Sequence, residues 1–207
     1  MTPLHIDAAC LVVVKPAGLL SVPGRGEHLQ DCLSARVQAA WPDARVVHRL
    51  DMATSGLMLF ARGDAAQRNL SQAFAQREIH KHYVAVVHGR MAPGEGVIDL
   101  PLMADLPNRP MQKVDRADGK SSLTRYRVLA FDAAANTTRV ALEPVSGRTH
   151  QLRVHLQAIG HPMLGDALYA PPPVLALENR LLLHAESLAF RHPTSGSTIE
   201  LRCDVPF

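Results

Sequence analysis

Clusters of apolar residues along the chain predict a protein in which strands outnumber helices. Short apolar runs bounded by turn residues are typical of strands, and apolar positions three to four residues apart are typical of amphipathic helices. The predicted strands cover residues 11–14, 56–61, 83–87, 123–129, 138–142, 181–184 and 198–201. The predicted helices cover residues 31–40, 64–76 and 149–159, with Asp64 as an N-cap and Gly160 and Pro162 ending the third helix.

The order of these elements indicates the fold class. Many adjacent strands are joined by short turns, which favours an α+β fold with a mixed, mainly antiparallel sheet flanked by helices over a doubly wound sheet. The sequence has no internal repeat and no flexible linker. Its one composition break, Ala-Pro-Pro-Pro at residues 170–173, predicts a stiff surface connection. A length of 207 residues allows one large or two small domains.

Composition excludes several classes of protein. No apolar run approaches the ~18 residues that a membrane helix needs, and the first residues lack the basic stretch and apolar core of a secretion signal. The three cysteines, Cys10, Cys32 and Cys203, are too few and too scattered for a disulfide framework or a paired-cysteine metal site. We therefore expect a protein of the reducing cytoplasm.

Charge is distributed unevenly along the chain. The formal net charge is only +3, but residues 45–153 hold 16 basic and 10 acidic residues, whereas the remainder holds 6 basic and 9 acidic residues. A basic middle suggests a polyanionic partner, although a split of this size also arises by chance. Arginine outnumbers lysine 18 to 4, which suits bidentate phosphate contacts. The few aromatic residues argue against a surface that stacks many bases.

Patterns for cofactor or metal chemistry are incomplete. Residues 118–121, Asp-Gly-Lys-Ser, match the end of a phosphate-binding loop but lack its first glycine, so nucleotide use is not expected. His80 and His82 can share one strand face, whereas His150 and His155 would point about 140° apart on a helix. No paired cysteine and histidine ligand set accompanies them. We expect no cofactor and no metal site.

A loop between two predicted strands carries the clearest candidate chemistry. Asp51 is flanked by Arg49 and by the Thr-Ser-Gly turn at residues 54–56. Loops held by a rigid scaffold are where catalytic groups concentrate. The alternative is a structural aspartate that accepts hydrogen bonds from Thr54 and Ser55, and spacing alone slightly favours that alternative.

Several sequence blocks resemble one known family. His-Arg-Leu-Asp-x-x-Thr-Ser-Gly at residues 48–56 is the signature of the RluA-type RNA pseudouridine synthases. Further family blocks are Gly-Arg-Thr-His-Gln-Leu-Arg-Val-His at 147–155, where Leu152 replaces isoleucine, and His-Pro-x-Leu-Gly-Asp-x-x-Tyr at 161–169. Residues 15–24 and 81–85 also match. The blocks follow the family's order and span residues 11–186, so the chain is identified as a member of this family.

The resemblance implies a fold and a function. It implies the pseudouridine synthase catalytic fold with a central active-site cleft, as a single catalytic domain over residues 1–207 without the S4-type RNA-binding domain of many relatives. It implies an isomerase without cofactor, acting as a monomer on RNA. Five segments, at residues 50–56, 100–102, 107–110, 112–114 and 181–186, resemble the dual-specificity branch, which modifies 23S ribosomal RNA and the tRNA anticodon stem-loop. A non-catalytic RNA-binding or ribosome-assembly factor on the same scaffold is the alternative.

The resemblance also implies which residues act. Asp51 is the essential carboxylate, acting as covalent nucleophile or as stabiliser of positive charge on the sugar. Arg153 is the arginine that pairs with Asp51 and keeps it ionised. Tyr83 is the active-site tyrosine, whose ring stacks on the uracil and whose hydroxyl takes part in proton transfer.

Contacts with RNA are expected around this centre. The target base must leave its stack before a carboxylate can reach the sugar, and the Arg49 guanidinium is the family group that fills the vacated position. His48 is expected to support the loop or contact substrate, without a proton-transfer role. The remaining candidate RNA contacts are cationic. Arg109, Lys113 and Arg116 either bind the RNA backbone or belong to a solvated charged hairpin, and Arg148 either contacts a phosphate or is structural.

Overall fold

The computed structural model describes residues 2–92 and 94–207. Its strands are β1 (His5–Ile6), β2 (Cys10–Lys15), β3 (Ala44–Val46), β4 (Ser55–Arg62), β5 (His80–His88), β6 (Glu95–Asp99), β7 (Leu102–Ala104), β8 (Gln112–Val114), β9 (Leu123–Asp132), β10 (Thr137–Pro144), β11 (Leu183–Arg191) and β12 (Thr198–Arg202). Its α-helices are α1 (Leu33–Ala40), α2 (Gly63–Ala75), α3 (Gln151–Ala158) and α4 (Pro172–Leu175).

The chain divides into two compact units. Unit 1 contains the residues up to Lys81 together with Ala185–Pro206, and unit 2 contains His82–His184 together with Phe207. The boundaries fall inside β5 and β11, near the beginning of each strand. Whether the chain acts as one catalytic domain therefore stays a prediction.

Unit 1 is built around β4. This strand lies between β2 and β11, and it also pairs with β3 at its far end. Its buried run Leu-Met-Leu-Phe-Ala is continuous because helices cover both faces of the strand. Leu57 and Leu59 pack in the cluster that includes Leu70 of α2, while Met58 and Phe60 pack in the cluster that includes Val37 of α1.

Unit 2 contains an antiparallel sheet in the order β5-β10-β9-β6 and a separate β7–β8 hairpin. On β10, every second residue (Thr138, Val140 and Leu142) is buried, as expected for a strand with one covered face. Helix α3 contributes Leu152 and Val154 to the interior of this unit. The predicted α+β class with a mainly antiparallel sheet is confirmed.

The predicted strands all overlap observed ones, while some boundaries were wrong. The prediction for 181–184 found only the beginning of β11, and the strands missed entirely have two to five residues. The predicted N-cap at Asp64 was wrong: α2 begins at Gly63 with Arg62 as its N-cap. Asp64 lies in the first turn, where a carboxylate suits the helix dipole, and its Oδ1 lies 3.2 Å from Arg45.

The proline run is also more ordered than expected. Residues 172–175 form α4, with prolines at its first positions, where a missing N–H costs no hydrogen bond. Among the described helices, none combines the length and apolar character that crossing a membrane requires.

Candidate active site

Asp51 lies on the segment that connects β3 to β4 in unit 1. It is partly buried, and its carbonyl accepts a hydrogen bond from the Thr54 amide at 3.1 Å, which closes a turn. Met52 is half exposed, whereas Thr54 and Ser55 are buried. The predicted candidate carboxylate therefore sits at a turn whose far side is anchored in the core.

Lys15 fixes the segment that carries Asp51 through hydrogen bonds from its side chain. Its side chain is fully buried, and its Nζ donates hydrogen bonds to the carbonyls of Pro16 at 2.8 Å, Leu19 at 2.7 Å and Met52 at 3.0 Å. An ammonium group has three donors, so these carbonyls satisfy it. The Gly18 amide also donates to the Met52 carbonyl at 2.9 Å. The residue that follows Asp51 is thereby tied to the segment after β2.

Ser21 holds the residue that precedes Asp51. Its Oγ donates to the Leu50 carbonyl at 2.6 Å and accepts from the Leu50 amide at 3.1 Å, so one buried hydroxyl satisfies both main-chain groups. The main chain on both sides of Asp51 is therefore fixed by buried side chains from the block at residues 15–24.

His48 contacts the scaffold of unit 1. Its Nε2 accepts a hydrogen bond from the Leu59 amide at 2.9 Å, which continues the β3–β4 pairing through a side chain. The ring stacks on Phe74 with centroids 4.6 Å apart. Burial, aided by the charge of Lys81, lowers the pKa of His48 to about 3. The ring is neutral near pH 7, which suits a supporting role, and direct contact with substrate stays a prediction.

Gly56 ends the Thr-Ser-Gly turn at a position that requires glycine. Its φ is +117°, and a Cβ there would lie 2.3 Å from the Ala185 carbonyl oxygen of β11. Only glycine fits this close approach of two main chains. Arg49, in contrast, is exposed. Its entry into an RNA stack stays a prediction.

Tyr83 lies in unit 2, on β5 opposite Leu142 of β10. Its side chain is 9% exposed. The position on a paired strand fixes the main chain of this residue, but its proposed role in chemistry stays a prediction.

Arg153 is a buried residue of α3. Its Nε donates to Asp166 Oδ2 at 2.9 Å and its Nη2 donates to Asp166 Oδ1 at 2.6 Å. The guanidinium carbon lies 5.1 Å from the centre of the Tyr169 ring. This bidentate geometry fixes the plane of the guanidinium group. The expected pairing of Arg153 with Asp51 stays a prediction.

A hydrogen-bond network surrounds this ion pair. Asp166 Oδ1 also accepts from the amides of Leu168 at 3.0 Å and Tyr169 at 3.2 Å. The Tyr169 hydroxyl accepts from the Gln112 amide at 2.8 Å and lies 2.6 Å from Nδ1 of His150. The network therefore joins the beginning of α3 to the β7–β8 hairpin.

The other predicted RNA contacts lie on the surface of unit 2. Arg109, Arg116 and Arg148 are exposed, and Arg148 donates to the Ser121 carbonyl at 3.3 Å. Lys113 is exposed on β8, with its Nζ 3.6 Å from Asp115. An exposed pair at this distance contributes little stability, so Lys113 can exchange its partner for a phosphate at small cost.

The likeness to known proteins covers nearly the whole chain. A family model described as RNA pseudouridylate synthase matches residues 9–158. The chain belongs to the RNA pseudouridine synthase family. This pseudouridine synthase is 51% identical over 204 residues to the dual-specificity RNA pseudouridine synthase RluA of Salmonella typhi, covering 99% of this chain and 93% of that protein. It is 49% identical over 207 residues to the Yersinia pestis protein of the same name, covering both completely.

Solved structures agree with this membership. Human RNA pseudouridylate synthase domain containing 1 is 29% identical and superposes with a TM-score of 0.83 over 100% of this chain and 84% of its own. Human RNA pseudouridylate synthase domain containing 4 is 26% identical, with a TM-score of 0.78 over 99% of this chain and 88% of its own. Members of the family are isomerases that act on RNA, so this pseudouridine synthase is an enzyme with the predicted fold.

Three residues that hold the candidate site residues were not predicted from the sequence. Lys15 and Ser21 fix the Asp51 segment, and Asp166 fixes Arg153. All three lie in blocks that the resemblance had already marked. The blocks that contain these residues were therefore recognisable in the sequence, but only the structure shows which atoms their side chains bind.

Proposed function

We propose that this enzyme converts specific uridines of 23S ribosomal RNA and of the tRNA anticodon stem-loop into pseudouridine, with Asp51 as its essential carboxylate. The observation that carries the proposal is the anchoring of Asp51: the main chain of Leu50 is bound by Ser21, and that of Met52 by Lys15. A carboxylate carried on a main chain fixed in this way can act on a sugar without the backbone first being ordered. Similarity to dual-specificity relatives supports the two substrate classes.

The reaction balances without an external reactant. The glycosidic bond from C1′ to N1 breaks, a bond from C1′ to C5 forms, C5 loses its proton and N1 gains one. The Asp51 carboxylate acts at the sugar, either by bonding to it or by stabilising positive charge on it. Both routes fit a partly buried carboxylate on an anchored turn.

Arg153 and Tyr83 complete the proposed catalytic group. We propose that Arg153, oriented by Asp166, pairs with Asp51 and keeps that carboxylate ionised, since a nearby positive charge favours the charged form. Tyr83 stacks its ring on the detached uracil, and its hydroxyl takes part in moving the proton from C5. Asp166 is then a positioning residue that acts through Arg153.

Exposed cations supply the proposed RNA contacts. The target uridine leaves its stack, and the exposed Arg49 replaces it with its planar guanidinium group. Arg109, Lys113, Arg116 and Arg148 bind phosphates as the RNA docks. The bond from the Tyr169 hydroxyl to the Gln112 amide holds the β7–β8 hairpin on which Lys113 lies. The enzyme acts as a monomer in the cytoplasm.

Release of tritium from uracil C5 tests the proposal. A tRNA and a 23S ribosomal RNA fragment, each labelled at C5, are incubated with excess enzyme, and the modified position is mapped afterwards. The proposal predicts release from both RNAs, each at one position, and no release when that uridine is replaced by cytidine. Release from only one RNA would overturn the dual specificity. Binding of both without release from either would identify a non-catalytic binding factor.

A further inference from the structure

The first β-hairpin gathers three metal-ligating side chains outside the proposed catalytic centre. His5 lies on β1, Asp7 in the turn, and Cys10 at the beginning of β2. One ligand atom from each lies within 4.8 Å of those of the other two. The spacing His-x-Asp-x-x-Cys is local, so the hairpin alone brings these donors together. The expectation of no metal site rested on other histidine pairs and did not consider this group.

Two of the three ligand-to-ligand distances lie near those of a tetrahedral zinc site. Zinc binds nitrogen and oxygen at about 2.0–2.2 Å and thiolate sulfur at about 2.3 Å, so neighbouring ligands of a tetrahedral site lie about 3.3–3.5 Å apart. His5 Nε2 lies 2.8 Å from Asp7 Oδ2, and Cys10 Sγ lies 3.8 Å from the same oxygen. Movements of about half an ångström would therefore bring both pairs to these values.

Hydrogen bonds orient the Asp7 carboxylate toward the other two donors. Its Oδ1 accepts from the amides of Ala9 at 2.7 Å and Cys10 at 2.9 Å, which turns Oδ2 toward His5 and Cys10. His192 Nε2 lies 3.1 Å from Oδ2, while its Nδ1 accepts from the Ser195 amide at 3.0 Å. Because Nδ1 accepts this bond, Nε2 is the ring nitrogen that carries a proton toward Asp7, so His192 supports the carboxylate instead of binding the ion.

We propose that His5 Nε2, Asp7 Oδ2 and Cys10 Sγ bind one zinc ion, with water in the fourth position. The side chains of His5 and Asp7 are 27% and 31% exposed, which gives an ion access from solvent, while Cys10 is fully buried. When zinc binds, the Cys10 thiol releases its proton to solvent and the His5 proton resides on Nδ1. The mixed nitrogen, oxygen and sulfur set is one that zinc accepts.

The proposed site has a structural role. The ion would join β1 to the beginning of β2 at the edge of the unit 1 sheet, and the mechanism uses none of its three ligands. Zinc binding requires the Cys10 thiol to lose its proton. Zinc affinity therefore rises with pH.

Cobalt is the spectroscopic probe for this site. The full chain, freed of metal by a chelator, is titrated with Co²⁺ while thiolate-to-cobalt charge transfer and visible ligand-field bands are recorded. The proposal predicts bands that saturate at one ion per chain and disappear when zinc is added. Cys10→Ser abolishes the charge-transfer band, and His5→Gln weakens cobalt binding at least about tenfold, or about 1.4 kcal/mol. Cys203→Ser, which changes a thiol outside the cluster, leaves the bands unchanged.

Other outcomes would overturn the proposal. The absence of a charge-transfer band in the unaltered protein would show that the hairpin holds its side chains by hydrogen bonds alone. A band that survives Cys10→Ser, or is lost with Cys203→Ser, would place the metal elsewhere. His5 is partly exposed, so His5→Gln remains informative if Cys10→Ser does not fold. Zinc should also raise the melting temperature of the unaltered protein but not that of His5→Gln.

Discussion

At the scale of single residues, the candidate site contains a buried ion pair, Arg153 and Asp166, whose removal from water costs free energy. Both side chains are nearly inaccessible to solvent, with 4% and 1% exposed. Placing two charges in such surroundings is costly unless their geometry and remaining hydrogen bonds are good. The amides of Leu168 and Tyr169 supply those additional bonds to Asp166. The arrangement suits an arginine whose direction matters to its function.

Asp166→Asn tests this positioning role. The amide keeps the shape of the side chain but removes its charge, so the buried guanidinium group loses its ionic partner. We expect the free energy of unfolding to fall by about 3 kcal/mol. We also expect kcat to fall about 10²-fold, with a much smaller change in KM. Steady-state tritium release and urea unfolding measure both effects. The control is Asp118→Asn at an exposed carboxylate. Loss of stability with an unchanged kcat would show that Asp166 only supports the fold.

The His48 ring predicts a pH dependence of stability. Its pKa is lowered from 6.5 to about 3, so below pH 6.5 the unfolded chain binds a proton that the folded chain does not. Stability therefore falls as the pH falls through this range, by up to about 1.4 kcal/mol per pH unit. Above pH 6.5 the ring is neutral in both states and contributes no slope.

Urea unfolding between about pH 5 and 7 measures this contribution. His48→Gln retains an acceptor for the Leu59 amide but has no titrating ring, so its stability should change less with pH than that of the unaltered protein. His28→Gln, at an exposed histidine, should keep the original slope. Equal slopes for all three proteins would refute a neutral, buried His48.

The proposed catalytic residues are easier to find in the sequence than the residues that hold them. Asp51 was recognised because it stands in a block of matching residues. Ser21 binds a residue 29 positions away, and Arg153 binds a carboxylate 13 positions away. Spacing along the chain does not show which of the 19 acidic residues an arginine meets, because tertiary folding decides that contact.

At the scale of elements, two glycines of unit 2 give a matched pair. Gly165 has a φ of +66°, and a Cβ there would lie 1.9 Å from the Arg180 carbonyl oxygen. Gly160 has a φ of +86° with no other atom within 4 Å of a Cβ. Both have the left-handed backbone that favours glycine, but only Gly165 also lies against another main chain.

Alanine at each position separates these two effects. Gly160→Ala should cost about 1 kcal/mol, from the left-handed conformation alone. Gly165→Ala should cost at least about 3 kcal/mol, because the main chain must move as well. Chemical unfolding of both variants measures the difference. Similar costs for the two variants would show that the segment at Gly165 yields without strain.

Long elements were predictable and short ones were not. The run in β4 is apolar throughout, and buried strands covered on both faces have that pattern. β1 has two residues, and β3, β7 and β8 have three each, which is too short for an alternating pattern to develop. The beginning of α2 was misplaced because Asp64 is a frequent N-cap residue that also suits a first helical turn.

At the scale of the whole molecule, the basic segment of the sequence does not correspond to a basic unit of the fold. Residues 45–153 carry a formal charge of +6, but this segment runs through both units. Unit 1 holds 11 basic and 10 acidic residues, and unit 2 holds 11 basic and 9 acidic residues. Neither unit is strongly basic as a whole. The formal charge of either unit does not mark an RNA-binding face, so the proposed RNA contacts depend on the placement of single exposed cations such as Arg49 and Arg148.

Asp51 is proposed to perform chemistry on a uridine that other residues bind. The most direct measurement compares tritium release and RNA affinity for Asp51→Asn with those for Asp64→Asn, an exposed carboxylate of the same unit. We expect Asp51→Asn to release no tritium while its dissociation constant for tRNA stays within about threefold, or about 0.7 kcal/mol. Asp64→Asn should match the unaltered enzyme in both respects. Turnover by Asp51→Asn, or a loss of RNA binding in proportion to activity, would refute this catalytic role of Asp51.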